Sequence, residues 1–190
     1  ARVRHWLNNN SRAGSKRNIM AHYDLGNDFY KLWLDPSMSY SSALYRAVDG
    51  GDHETAQRAK YRRILRRLHA EPGQSVLEVG CGWGGFAEMA VQEGLRVTGL
   101  TLSPAQLEWA QKRVPEADLR LQDYRDTREQ FDHVVSIEMF EAVGERWWPT
   151  YFKTIARALK PGGRAVVQSI TIRDDLFADY RKGTDFIQQY

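Results

Sequence analysis

Cysteine is nearly absent from this 190-residue chain, and the single Cys81 excludes an intramolecular disulfide framework and fits a reducing compartment. Long apolar runs are missing as well. Nothing approaches the roughly 20 residues needed to span a bilayer, and no signal peptide is recognisable, so a cytoplasmic location is expected. Residues 1–23 contain no acid, although they carry Arg2, Arg4, Arg12, Lys16 and Arg17. The G-x-G-x-x-G spacing of dinucleotide sites is also missing. What is present is 42% hydrophobic and 27% charged residues, which fits one soluble globular domain with a sizeable core.

Net charge is only +3, but it is unevenly spread. A second basic run, "RAKYRRILRRL", holds Arg58, Lys60, Arg62, Arg63, Arg66 and Arg67. Such runs are usually solvated faces; the functional reading is attraction to an anionic surface, nucleic acid or acidic phospholipid. The spacing predicts a helix from Asp52 to about Ala70, with Tyr61, Ile64, Leu65 and Leu68 on one face and "EPG" at 71–73 as its stop.

Strands and helices then alternate. Strands are expected at 75–80, 96–100, 118–122, from 133 and from 163, with helices at 84–93, after Ser103 and at 148–159. Ser103 reads as an N-cap, Pro104 as the first helical residue and Gln106 as the partner completing a capping box. This alternation implies an α/β fold, a parallel sheet with helices on both faces and ligands at the carboxyl ends of the strands.

Those ends carry suggestive residues. The stretch "VLEVGCGWGGFA" places Gly80, Gly82 and Gly84 where bare backbone lets a nucleotide-like ligand approach, held by backbone amides. The alternative is a tight turn without a ligand, though three glycines exceed what a turn needs. Preceded by Glu78, a G-x-G-x-G loop favours S-adenosylmethionine over a nicotinamide. Thr101 and Gln106 stand where dinucleotide sites place an acid, and Asp123 and Tyr124 are candidates to hydrogen-bond and stack on a purine. Cys81 reads as a packing residue, not a nucleophile. Glu141, at a strand's carboxyl end, is the leading functional acid, while Glu138 suits a salt bridge better.

Five motifs in order, "HYDLGNDFYKLWLDPSMSYSSALY", "LEVGCGWGGFA", "GLTLSPAQ", "SIEMFEAVGE" and "LKPGGRAVVQSITI", resemble the cyclopropane-fatty-acyl-phospholipid synthase and mycolic acid cyclopropane synthase family. The resemblance implies a class I S-adenosylmethionine-dependent methyltransferase sheet, Rossmann-like, incomplete at the C-terminus of this chain, with an N-terminal helical cap. Residues 1–50 would form part of the active-site cover and 51–190 the methyltransferase domain. It implies S-adenosyl-L-methionine bound by Tyr40, Ser41, Val79, Gly80, Cys81, Gly82, Trp83, Gly84, Thr101, Leu102, Gln106, Tyr124, Arg125 and Ile137.

It also implies methyl transfer to the double bond of an unsaturated phospholipid acyl chain. The resulting carbocation would be eased by Tyr23, Tyr40, Phe140 or Glu141. Loss of a proton would then give a cyclopropane or a methyl- or methylene-branched chain. A bound bicarbonate is the implied base, held by Cys, Glu, His, an Ile amide and a distal Tyr. Here Glu141 and Ile170 keep their places, Ser42 and Gln168 stand for the Cys and His, and the Tyr would lie beyond residue 190. Gln cannot become cationic, so either weak bicarbonate or a relay through Glu141 is expected. The expected setting is peripheral, on an anionic inner membrane face, without nucleic acid; a homodimer stays open. The alternatives are a methyltransferase of the same fold acting on a small soluble acceptor, and a non-catalytic lipid-binding module.

Overall fold

The computed structural model describes residues 26–45 and 51–180. Five parallel strands form one sheet in the order β3-β2-β1-β4-β5. They are β1 Ser75–Val79, β2 Arg96–Thr101, β3 Asp118–Leu121, β4 Phe131–Ile137 and β5 Leu159–Gln168. The helices are α1 Gly26–Lys31, α2 His53–Leu68, α3 Gly85–Gln92, α4 Pro104–Arg113, α5 Trp148–Ala158 and α6 Asp174–Tyr180. The expected strands and helices are all present. β5 begins at Leu159, ahead of the expected 163, because the Pro161–Gly163 stretch is absorbed in an irregularity opposite Phe131–His133.

Strand alternation divides the core. Val76, Val97, Leu119 and Val135 join Tyr61, Ile64, Leu68, Phe86 and Ala110 on one face, so α2, α3 and α4 cover that side. Leu77, Val79, Leu100 and Val134 meet Tyr151, Ile155 and Ala158 of α5 on the other. Helices therefore lie on both faces, as the alternating pattern requires.

Local chemistry sets the helix ends. Asp52 caps α2 by accepting the Thr55 amide at 2.7 Å, and His69 closes it in the left-handed region. Ser103 caps α4 by accepting the Gln106 amide at 3.3 Å. The expected reciprocal bond is absent: the Ser103 amide donates to Thr101 Oγ1, and Gln106 Oε1 accepts from Thr101 instead.

Residues 26–45 sit over the glycine loop. Tyr30, Met38 and Trp83 form a small buried cluster that fastens this segment to the sheet. β1 leads through α3 to β2 on one side, whereas β4 lies on its other side. The strand order thus reverses between β1 and β4, and a crevice at their carboxyl ends is where such sheets bind ligands.

Candidate active site

Gly80, Gly82 and Gly84 all take positive φ, at 83°, 51° and 84°. Some of the loop's amides are engaged within the fold. Gly80 and Cys81 both donate to the Leu100 carbonyl, at 3.0 and 2.8 Å, and Gly84 donates to the Cys81 carbonyl at 2.9 Å. The glycines also contribute room. A β-carbon on Gly80 would stand 3.1 Å from Met139 Cγ, whereas one on Gly82 would meet nothing within 4 Å. Gly82 therefore opens onto free space, and Gly80 beside it faces Met139, just past the end of β4.

Cys81 is buried, and burial pushes its thiol well above the ordinary value, so it packs as expected. Trp83 is also buried; its Nε1 donates to Asn27 Oδ1 at 2.7 Å and its ring lies 5.0 Å from Tyr30. That makes it a clamp on residues 26–45.

At the end of β2, Thr101 and Gln106 are buried and joined at 2.9 Å, with Leu102 half-buried between them. After β3, Asp123 does not present a free carboxylate. Its oxygens accept the Arg125 amide at 2.9 Å, Nε at 2.8 Å and Nη2 at 2.5 Å. Asp123 holds Arg125, whose guanidinium it raises above the ordinary value. Tyr124 is half-buried and lies edge-on to Tyr151 at 5.7 Å. Ile137 closes β4, half-buried.

The segment carrying Tyr40, Ser41 and Ser42 is held by α2. Gln57 Nε2 donates to the Ser41 carbonyl at 2.7 Å, and Lys60 Nζ donates to Ser41 Oγ at 2.5 Å. Tyr40 remains exposed, its ring 5.3 Å from Trp33. Lys60 is buried, and loss of water lowers its ammonium to about 8 although the Glu138, Asp35 and Glu78 carboxylates favour its charge. Glu78 is fully buried, with Oε2 unpartnered, and burial raises its carboxyl well above the ordinary value.

The densest polar cluster lies at the ends of β4 and β5. Glu138 Oε1 accepts the Ser42 amide at 3.0 Å, the Ser42 hydroxyl at short range and Gln168 Nε2 at 2.8 Å. These hydrogen-bond partners are neutral, and the cation that feels the Glu138 carboxylate is Lys60. Glu138 also sits at φ 47°, an uncommon conformation for a residue with a side chain. Three residues on, Glu141 Oε1 accepts the Ile170 amide at short range and Ser169 Oγ at 2.9 Å, while Oε2 is buried without a partner.

The structure thus brings Ser42, Gln168, Glu141 and Ile170 to one place beside the glycine loop. Tyr23 and the acid-free N-terminal run lie outside the described residues. Sequence reasoning missed Gln57 and Lys60, whose signal was two polar side chains on the same helical face as Tyr61 and Ile64. It also undervalued Glu138 and Ser169.

Comparison with known proteins gives the family and the fold. The family model for mycolic acid cyclopropane synthetase matches residues 10–190. The cyclopropane-fatty-acyl-phospholipid synthase of Escherichia coli (strain K12) is 45% identical over 152 residues, 78% of this chain and 39% of its own length. The tuberculostearic acid methyltransferase of Mycobacterium tuberculosis is 38% identical over 192 residues, 95% of this chain and 45% of its own length. The chain therefore spans less than half the length of these two curated relatives. Among solved structures, the mycolic acid cyclopropane synthase CmaA1 complexed with SAH and CTAB superposes with a TM-score of 0.76 at 34% identity, covering 80% of this chain and 55% of that one. The sheet is that of the S-adenosylmethionine-dependent methyltransferases.

Proposed function

The chain belongs to the mycolic acid cyclopropane synthetase family, and from that premise we propose that it adds a carbon from S-adenosyl-L-methionine to the double bond of an unsaturated phospholipid acyl chain. The observation that carries this reading is the pairing of the open space over Gly82 with two carboxylates, Glu138 and Glu141, across the β1/β4 reversal.

The residues suit the cofactor. Gly82 leaves a gap where any side chain would intrude, and Thr101, Leu102, Gln106, Tyr124 and Ile137 sit at the neighbouring strand ends. Tyr40 and Ser41 approach from residues 26–45, the described part of the proposed 1–50 cover on a 51–190 methyltransferase domain. When bound, S-adenosylmethionine supplies an electrophilic methyl group. An alkene is a weak nucleophile, so the chain's own contribution is to position it, exclude water and ease positive charge on the acyl carbons. Glu138 and Glu141 supply negative charge there, and Tyr40 and Phe140 supply aromatic faces.

A phospholipid fits the surroundings. A cleft of about 610 Å³ is lined by Ser42 and Gln168 and also by Lys60, Arg63 and Arg67. Arg62, Arg63, Arg66 and Arg67 are exposed on α2, which suits peripheral attachment to an anionic membrane. Among the described residues no helix is long and apolar enough to cross a membrane. The test is release of S-adenosylhomocysteine by the full-length protein with vesicles of unsaturated or saturated phospholipid. Release that depends on the unsaturated lipid supports the proposal, and release with neither rejects it.

A further inference from the structure

We propose that Glu138 is itself the proton-removing base, occupying with its own carboxylate the place a diffusible anion would take, and that Ser42 and Gln168 are the residues that position it. The inference rests on the proposed function and goes beyond it by naming the base.

The geometry separates the two carboxylates. Glu138 is anchored through one oxygen by three donors, two from Ser42 and one from Gln168. Its second oxygen has no partner among the described residues, and it is not among the buried unpartnered oxygens. Glu141 is anchored by Ile170 and Ser169, but its second oxygen is sealed in the interior. A base must present a lone pair to the carbon acid, and of the two only Glu138 is placed to do so.

The donors that a small anion would need are therefore already in use. Ser42 and Gln168 serve Glu138, and the Ile170 amide serves Glu141. A third anion here would add to the Glu138 and Glu141 carboxylates, a like-charge arrangement that the Lys60 ammonium, already facing Glu138, offsets only in part. The backbone supports the assignment. Glu138 holds φ 47°, a conformation unfavourable for a residue with a side chain and one that persists only where the surroundings fix it. Met139, next in the chain, packs against the Gly80 position of the glycine loop.

The proposed step balances. As the sulfonium methyl bonds to one alkene carbon, the sulfur–carbon pair returns to sulfur and the other alkene carbon becomes cationic. Glu138 takes a proton from the added methyl, and that C–H pair closes onto the cationic carbon as a cyclopropane. If a hydride first shifts from the methylated carbon to its neighbour, the same proton loss gives a methylene branch. Glu138 then returns the proton to water, with no oxidant or reductant.

The test uses the full-length protein with Glu138→Gln and Glu138→Gly, S-adenosylmethionine, unsaturated phospholipid vesicles and CO2-free or bicarbonate-supplemented buffer. The wild type should turn over equally in both buffers. Glu138→Gln should lose turnover by about 100-fold or more with unchanged cofactor affinity by calorimetry. Glu138→Gly suits a positive φ and vacates the anion position, so it should bind carbon-13 bicarbonate by NMR where the wild type does not, and recover turnover when bicarbonate is added. A wild type that requires bicarbonate, or Glu138→Gln within twofold of wild type, overturns the assignment of the base. A wild type that binds cofactor but never alkylates lipid overturns the proposed function and the base with it.

Discussion

Glu138 and Gln168 clasp one another twice. The Glu138 amide donates to the Gln168 carbonyl at 2.9 Å, and the Gln168 side-chain amide donates to the Glu138 carboxylate at 2.8 Å. The first bond extends the β4–β5 ladder by one residue, and the second sets where the carboxylate points. Removing the side-chain donor alone tests this relationship. A hydrogen bond to a charged group contributes about 1.5–3 kcal/mol, so Gln168→Leu should lower kcat by about 10- to 100-fold. Gln168→His, which can donate the same bond, should keep most of it. If His and Leu are equally impaired, Gln168 is not a positioning donor.

Gly82 yields a prediction about cofactor affinity. Its β-carbon direction is open, yet its φ of 51° is unfavourable for a branched side chain. Gly82→Val should therefore keep a recognisable fold by circular dichroism and lose at least about tenfold in S-adenosylmethionine affinity by calorimetry. Full affinity in a folded variant would place the cofactor elsewhere.

Glu78 and Lys60 make stability depend on pH in opposite directions. Burial holds the Glu78 carboxyl above 4.5, so the folded chain keeps a proton that the unfolded chain releases. Stability from this group is present below 4.5 and falls as pH rises, by up to about 1.4 kcal/mol per pH unit, until the folded carboxyl ionises. Lys60 at about 8 lies below 10.5, so between those values the unfolded chain holds more protons and stability rises with pH. Glu78→Gln should become progressively more stable than wild type as pH rises above the ordinary carboxylate range, as urea unfolding reads it. A constant difference as pH rises contradicts the buried, proton-retaining state.

The exposed arginines of α2 predict salt-sensitive attachment. Each of Arg62, Arg63, Arg66 and Arg67 should contribute about 1 kcal/mol on an anionic surface, less as salt rises. Replacing all four by Gln should abolish preferential sedimentation with anionic over neutral vesicles while sparing cofactor affinity. Unchanged sedimentation would mark them as a solvated face.

Much of this was legible before folding, because the strands, the glycine loop and the Ser103 cap are local signals. What escaped was non-local. Ser42 and Glu138 are 96 residues apart, and Ser42 and Gln168 are 126 apart, yet they share one carboxylate. No periodicity reports such a meeting, so Glu138 read only as a salt-bridge candidate. The pairing of Asp123 escaped for the opposite reason. Its partner Arg125 is two residues away, but only the tight turn after β3 shows that the pair closes on itself.

The central claim is that the acyl chain is the acceptor, and isotope transfer tests it most directly. The full-length protein would be incubated with S-adenosylmethionine labelled in its methyl carbon, vesicles of unsaturated phospholipid and a pool of small soluble acceptors. Mass spectrometry of the extracted lipids would follow. One labelled carbon at the former double bond of the acyl chain is predicted, lost in Glu138→Gln. Label recovered in a soluble acceptor, with the lipid unlabelled, would contradict it.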